Sequence, residues 1–231
     1  MDSTKKIKQE NPFEKIALEW SKYRSEPSPS LRFFLPLIPK GGVVLDAGCG
    51  NGRNFAPIIA KAGVVYGVDS AKNMVRLAKE RFATKIGKKL CVKAADVSKL
   101  PFEDEKFDCV FCIAVLHNVS TKQLRLKAMK EFYRVLKPKG CLALTVWNFH
   151  QKRFASLGKK RDADIGWTLK ASPNGKQGTR VERYYHFFEK KELRLLAKAN
   201  GFNVEELFFE KKGVKHAMQG AANLCAVLRK G

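Results

Sequence analysis

Long apolar runs are missing from this sequence. No stretch approaches the roughly 20 apolar residues that a membrane-spanning helix requires, and the N-terminus lacks the apolar segment of a secretory signal peptide. The six cysteines lie mostly inside predicted strands or at their ends, which is typical of reduced, buried thiols. We therefore expect a soluble, cytoplasmic protein that does not bind a membrane.

Clusters of metal-ligating residues are missing as well. Cys109 and Cys112 form a C-x-x-C pair, but both lie in one apolar run, where alternation directs them to opposite faces of a strand. No second such pair and no pair of histidines completes a zinc set. The sequence therefore predicts no metal site.

Acidic residues are scarce. There are 22 aspartates and glutamates against 45 lysines and arginines, which gives a net charge of +23. Such a charge would attract and hold a polyanionic substrate. A basic proteome or a surplus of solubilising charge would give the same balance, so the charge alone does not identify a partner.

A glycine-rich turn follows the first predicted strand. An apolar run that ends at Asp46 is followed by glycines at every second position, Gly48, Gly50 and Gly52. A dinucleotide-binding turn spaces its last two glycines differently, and a phosphate-binding loop adds Gly-Lys-Ser/Thr. A second apolar run ends in Asp69, which is placed to bind two ribose hydroxyls. The pattern favours a nucleoside with an amino-acid arm as ligand, and an unliganded turn is the alternative.

Strand and helix patterns alternate through the middle of the chain. This order predicts an α/β fold with a doubly wound, mostly parallel sheet that binds its ligand at the carboxyl ends of the strands. A later helix and two apolar runs would complete a seven-stranded sheet with one antiparallel strand. Strands are expected near 43–47, 64–68, 89–94, 107–113, 140–147, 202–209 and 222–229, and helices near 53–61, 71–83, 121–136 and 189–199.

The glycine loop and the acidic strand ends resemble the motifs of class I S-adenosylmethionine-dependent methyltransferases, which have this Rossmann-like fold. The resemblance implies S-adenosyl-L-methionine as cofactor, with Asp69 at the ribose, Asp96 at the adenine amino group and Val97 supplying a backbone contact. A turn cap is the alternative for Asp96. The implied cofactor-binding residues are Asp46, Gly48, Cys49, Gly50, Asn51, Gly52, Asp69, Ser70, Asp96, Val97 and Ala114.

More specific segments lie outside this core. Phe13–Arg24, Val146-Trp147-Asn148 and Arg183-Tyr184-Tyr185-His186 together resemble the tRNA wobble-uridine methyltransferases that esterify 5-carboxymethyluridine. In place of the common His-His pair, this chain has His117-Asn118. The resemblance implies the tRNA anticodon loop as substrate and a small zinc-binding activator as partner. That activator would cover an apolar edge near the third strand, formed by Leu90, Val92 and Ala94.

The implied chemistry is methylation of a carboxylate, which is already ionised at neutral pH and needs no general base. It does need positive charge and hydrogen-bond donors around the acceptor. Arg24 and His117 are the implied catalytic residues, although Arg24 could equally be a solvated helix end. The implied substrate-binding residues are Arg24, His117, Asn118, Trp147, Arg183, Tyr184 and His186.

We expect residues 1–231 to form one methyltransferase domain. It comprises an N-terminal helical cap (1–40), a cofactor-binding core (41–147), a basic substrate-side insert (148–188), and a closing helix and strands (189–231). The cap holds helices at Phe13–Tyr23 and Leu31–Leu37, after a frayed segment at 1–9. The insert mixes basic residues with aromatics, which suits an anticodon loop. The alternatives are a methyltransferase for a small metabolite, which would share the core motifs, and a noncatalytic RNA-binding protein.

Overall fold

The structure, a computed structural model, describes residues 11–158, 160–169 and 178–231. The predicted frayed segment at 1–9 and the basic residues Lys159, Lys170 and Lys176 of the insert lie outside the described residues. Within the described ranges no helix has the length and apolar character needed to cross a bilayer.

Two helices precede the sheet, as predicted. Helix α1 (Pro12–Tyr23) begins at Asn11, whose side chain accepts a hydrogen bond from the Phe13 N–H. Its buried face packs against a later helix, α4 (Lys72–Arg81). The short helix α2 (Leu31–Phe34) continues into a 3-10 turn, and together they account for the second predicted helix.

The main sheet has eight strands in the order β3-β2-β1-β4-β5-β10-β8-β9. The first five pair in parallel, and β10 is antiparallel to both β5 and β8. The doubly wound, mostly parallel sheet is therefore confirmed. The strands are β1 (Val43–Ala47), β2 (Val64–Asp69), β3 (Leu90–Ala94), β4 (Phe107–Ile113), β5 (Leu136–Trp147), β8 (Phe202–Lys211), β9 (Val214–His216) and β10 (Asn223–Lys230).

Helices cover both faces of this sheet. They are α3 (Phe55–Ile59), α4, α5 (Lys122–Val135) and α6 (Lys190–Lys198), close to the predicted ranges. Alternate strand residues enter two separate cores, so Cys109 packs on one face and Cys112 on the other. This arrangement confirms the prediction for the C-x-x-C pair. Among the described residues no cluster of histidine, cysteine and acidic side chains could hold a metal ion.

The sequence prediction differs from the structure at three places in the sheet. An eighth strand, β9, was not predicted; it follows a two-residue turn in which Lys212 and Gly213 both have positive φ. Strand β5 begins at Leu136 rather than near 140, because residues 137–140 bulge opposite Asp108. Asp108 holds this bulge by accepting hydrogen bonds from Val43 N and Lys137 Nζ.

The third difference concerns the proposed apolar edge near β3. This strand does lie at one edge of the sheet. However, Leu90 and Val92 are only 2% and 4% exposed, because their side chains point into the core. The accessible feature is therefore the backbone edge of β3 with Lys93 and Ala94, and the prediction of an edge made of Leu90 and Val92 side chains is wrong.

The predicted basic insert contains a β-hairpin. Strands β6 (Asp162–Thr168) and β7 (Arg180–His186) form a separate two-stranded antiparallel sheet. A 3-10 segment, Lys152–Leu157, precedes the hairpin. Phe154, Tyr185 and Phe187 form a small core beneath it. The described part of the insert is thus packed on its own small core, and Asp164, Glu182 and Tyr184 of its hairpin line the cavity at the carboxyl ends of the parallel strands.

Candidate active site

A cavity of about 650 Å³ opens at the carboxyl ends of β1 to β4. Helix α1 supplies one wall through Phe13 and Trp20, and the hairpin supplies another through Asp164 and Glu182. The predicted ligand-binding residues that line it are Gly48, Cys49, Gly50, Asp69, Ser70, Asp96, Val97, Ala114, Asn118 and Tyr184. The predicted residues outside its wall are Arg24, Asp46, Asn51, Gly52, His117, Trp147, Arg183 and His186.

The glycine loop is fixed against the second strand. Gly48 has φ +82°, and a Cβ there would lie 2.2 Å from Cγ2 of Val115. The N–H of Gly48 donates to the Val68 carbonyl at 2.7 Å. The next glycine, Gly50, donates to Oδ2 of Asp69 at 2.9 Å. These contacts require a residue without a side chain at position 48 and bring the loop backbone to the cavity wall.

Two predicted carboxylates on the wall are oriented by backbone N–H groups. The other Asp69 oxygen, Oδ1, accepts from the Ala71 N–H at 2.9 Å, so both oxygens are held in place. Asp96 Oδ1 accepts from the N–H and the hydroxyl of Ser98, both at 2.7 Å. The turn cap considered for Asp96 is therefore present. It uses only Oδ1, and Oδ2 of Asp96 takes no part in the cap. Both side chains retain access to the cavity.

Ala114 adopts a backbone conformation that is rare for a residue with a side chain. Its φ is +60°, and its N–H donates to both oxygen atoms of Thr145, at 3.0 and 3.1 Å. Such strained residues persist only where their surroundings hold them, and they are frequent at functional sites. Here the strain turns the chain from the end of β4 into the cavity wall.

Asp46 lies behind the glycine loop rather than on the cavity wall. It is 0% exposed, and neither carboxylate oxygen has a hydrogen-bond partner among the described residues. Burial raises the pKa of Asp46 to about 7, and the nearby charge of Arg53 opposes this shift. An unpaired buried carboxylate beside a cavity favours a cationic ligand there.

Asn51 and Gly52 are not among the residues that line the cavity, and their contact with the cofactor stays a prediction. The Asn51 side chain donates to the backbone carbonyl of Arg24 at 3.0 Å and so fixes the end of α1 to the loop. A Cβ on Gly52 would meet the Phe55 ring at 2.7 Å, so this glycine permits packing. Sequence analysis missed Arg53, which lines the cavity beside the loop.

His117 is buried in a column of rings. It is 1% exposed, and its ring centroid lies 5.3 Å from that of Tyr185 and 5.4 Å from that of Trp147. Burial lowers its pKa to about 3, and the charges of Arg183 and Arg153 add to the effect. Its Nδ1 accepts from the Trp147 N–H at 3.2 Å. The neutral ring therefore carries its proton on Nε2 and is a hydrogen-bond donor there.

Arginine side chains gather around this column. Arg153 lies over the Trp147 ring at 4.3 Å, and Arg183 lies over the rings of Tyr185 and Trp167 at 5.4 and 5.2 Å. Burial lowers the pKa of Arg153 and Arg183, and the positive charge of Arg24 lowers both further. The three guanidinium groups, which we call the arginine cluster, are thus within electrostatic reach of one another and would be stabilised by an anion.

Arg153 was not singled out from the sequence, because it is one of many basic residues in the insert. Its contact with Trp147 joins the insert to the end of β5, and no motif in the sequence predicts that contact. Arg24, by contrast, is exposed at the end of α1, where its carbonyl is bound by Asn51. Trp147 supports Arg153 rather than lining the cavity.

The predicted substrate contact of His186 is not supported by its surroundings. Its Nδ1 lies 2.9 Å from Asp162 Oδ1, and its Nε2 lies 2.8 Å from Glu192 Oε1. Both ring nitrogens are therefore engaged by carboxylates of the protein, and the side chain is only 6% exposed. His186 connects the hairpin to α6 instead.

Asn118 and Tyr184 join the hairpin to the end of β4. Asn118 Nδ2 donates to the Tyr184 carbonyl at 3.0 Å. The Tyr184 hydroxyl is hydrogen-bonded to Asp162 and accepts from Arg125 at 3.1 Å. Both residues line the cavity. The hairpin is therefore held beside the strand ends at a defined position.

Comparison with known proteins places this site in a family. A family model described as a methyltransferase domain matches residues 45–144. The tRNA (carboxymethyluridine(34)-5-O)-methyltransferase of Schizosaccharomyces pombe is 30% identical over 210 residues, which cover 84% of this chain and 88% of the relative. The Arabidopsis thaliana protein of the same name is 34% identical over 147 residues, 64% of this chain. The aligned region spans only 34% of the length of that relative.

Solved structures share the fold. An S-adenosylmethionine-dependent methyltransferase from Clostridium acetobutylicum superposes with a TM-score of 0.71 at 16% identity, covering 96% of this chain and 100% of the other. A putative Haloferax volcanii methyltransferase, solved in complex with the Trm112 methyltransferase activator, has a TM-score of 0.66 at 16% identity, covering 95% and 97% of the two chains.

Proposed function

Because this chain belongs to the S-adenosylmethionine-dependent methyltransferase family that includes the tRNA (carboxymethyluridine(34)-5-O)-methyltransferases, we propose that it methylates the carboxylate of 5-carboxymethyluridine at the wobble position of tRNA. The product would be the methyl ester. The observation that carries the proposal is the arginine cluster around a neutral histidine, next to the cavity that suits the cofactor.

The cavity fits S-adenosylmethionine by its chemistry. Asp69 and Asp96, which line the cavity, would bind the ribose and the adenine amino group, and the ionised form of the buried Asp46 would favour the cationic amino-acid arm. Arg53, on the same wall, is placed for the carboxylate of that arm. When bound, the cofactor supplies an electrophilic methyl group.

The residues of the substrate side would bind and orient the acceptor. A carboxylate is ionised at neutral pH, so no residue has to remove a proton from it. The arginine cluster would hold the carboxylate by charge, and Nε2–H of His117 would orient it by a hydrogen bond. A neutral histidine suits this role because it needs only to donate a hydrogen bond to the carboxylate and does not have to accept a proton from the substrate.

An activator subunit fits the proposal. The Haloferax volcanii neighbour was solved with such a protein, and β3 is the edge strand of the sheet here, with its first residue, Leu90, bridged to Ile86 and accepting from the Gly87 N–H. Pairing with that edge would cover unsatisfied N–H and C=O groups. We expect the chain expressed alone to be less soluble than the chain expressed with a zinc-binding activator.

The test is methylation of tRNA from cells that lack this enzyme, using labelled S-adenosylmethionine with and without the activator. Nucleoside mass spectrometry should find a base-labile methyl ester on the wobble uridine. If the chain binds the cofactor and the activator but places no label in tRNA, the proposed substrate is wrong.

A further inference from the structure

A second cavity, of about 830 Å³, is lined by Arg153 of the arginine cluster. It is bounded by the loop after β5 and by the segment that leads into β10. We name it the basic groove, after the residues that line it: Phe149, His150, Lys152, Arg153 and Lys211. We propose that the basic groove binds backbone phosphates of the RNA whose nucleotide enters the active site.

The charge of the groove supports an RNA backbone as its occupant. Lys152, Arg153 and Lys211 are exposed there, and no aspartate or glutamate is among the described residues that line it. Glu210, the neighbour of Lys211, is 1% exposed and accepts a hydrogen bond from Ser30 Oγ, so its carboxylate is directed inward. The cofactor cavity, in contrast, contains several carboxylates.

The walls of the groove are held in place before any ligand binds. Asn148, 1% exposed, donates through Nδ2 to the carbonyls of Met218 and Ala221 at 2.7 and 3.0 Å. Gln151 Nε2 donates to the carbonyls of Asn148 and Ala222, both at 2.9 Å. These bonds tie the two segments together, so the cations need little reorganisation on binding. They also explain Asn148 of the Val-Trp-Asn motif, for which the proposed reaction has no role.

Arg153 connects the groove to the active site. Its guanidinium stacks on Trp147 and Phe154, at 4.3 and 4.6 Å, and belongs to the arginine cluster. An RNA strand running through the groove would therefore pass directly to the acceptor position. Phe149 on the groove wall is half-buried, and its ring is covered by the Arg161 guanidinium at 4.5 Å, which adds a further cation beside the groove.

This inference rests on the proposed tRNA substrate, and it is tested by the salt dependence of tRNA binding to the full chain. The variant is Lys152→Gln with Lys211→Gln. The control is Lys61→Gln with Lys79→Gln, exposed lysines outside the groove that remove the same charge. Each lost phosphate contact lowers the slope of log Kd against log salt by about 1. The groove variant should lower it by about 2, and the control should change it little.

If the groove and control variants have equal slopes and tRNA is still methylated, the proposed phosphate binding in the groove is wrong and the proposed reaction stands. A groove-dependent slope without any methyl ester would instead overturn the proposed reaction and keep the groove. A second measurement needs no variant: ultraviolet crosslinking of the unaltered chain to tRNA should label Phe149 or His150. Crosslinks found only at other residues would contradict the proposal.

Discussion

Single side chains at this site have protonation states that differ from those in water, because the protein buries them. Asp46 has a raised pKa, and His117 has a lowered one. At neutral pH Asp46 is therefore divided between its protonated and ionised forms, whereas His117 is fully uncharged. The opposite directions have one cause, since burial disfavours the charged form of either group.

For Asp46, the change Asp46→Asn should raise the stability of the cofactor-free chain at pH 8. The folded-state pKa of about 7 lies above the ordinary 3.8, so the folded state binds the proton more tightly. Stability from this group is present below pH 4 and is lost as pH rises to about 7. Urea unfolding between pH 4 and 8 should show this loss in the unaltered chain and not in the variant. A variant that is less stable at pH 8 would contradict the assignment.

For His117, the change His117→Asn should lower kcat for tRNA methylation by about 100-fold, as expected for loss of one preorganised donor. With a pKa near 3, His117 stays neutral, so it should give kcat no inflection near pH 6.5 in the unaltered enzyme. The control is His216→Asn, an exposed histidine on β9. An inflection near pH 6.5 that disappears in His117→Asn would show that the ring titrates during catalysis.

Among the elements, the β6–β7 hairpin forms one wall of the active-site cavity. His186 attaches this hairpin to α6 through Glu192. The change His186→Phe keeps a ring but removes the partner of Glu192 and leaves Asp162 with the Tyr184 hydroxyl alone. Because both carboxylates are partly exposed and can be hydrated, we expect a loss of only about 0.5–1.5 kcal/mol in stability and faster amide exchange in the hairpin. Binding of S-adenosylhomocysteine should be unchanged. A large fall in tRNA methylation with unchanged stability would restore the predicted substrate contact.

The elements also show what sequence could predict. Strands β1, β2 and β4 are buried on both faces, so each is a continuous apolar run that is easily recognised. Strand β9 has three exposed residues and no apolar pattern, and it forms because the Lys212-Gly213 turn returns the chain beside β8. The glycine loop and Asp69 were predictable because local spacing places them. The contact of Arg153 with Trp147 was not, because it depends on how the insert folds over the sheet.

In the molecule as a whole, the two ligands would meet surfaces of opposite charge. The cofactor cavity has four carboxylates on its wall, Asp69, Asp96, Asp164 and Glu182, whereas the chain carries a net charge of +23. Raising salt from 50 to 200 mM should weaken tRNA binding by about 100-fold or more. The Kd of S-adenosylhomocysteine should change far less. Equal salt dependence for both ligands, measured by titration calorimetry, would contradict this separation.

Helix α1 contacts both the cofactor cavity and the β6–β7 hairpin. Asn11, which caps the start of the helix, donates through Nδ2 to Ser70 Oγ at the cofactor cavity. The ring of Tyr23 at the other end lies 6.0 Å from that of Trp167 in the hairpin, centroid to centroid. A movement of the whole helix away from the cofactor cavity would also carry Arg24 away from the arginine cluster. We therefore expect the methylated RNA to depart before the spent cofactor is exchanged, which gives turnover a fixed sequence of release.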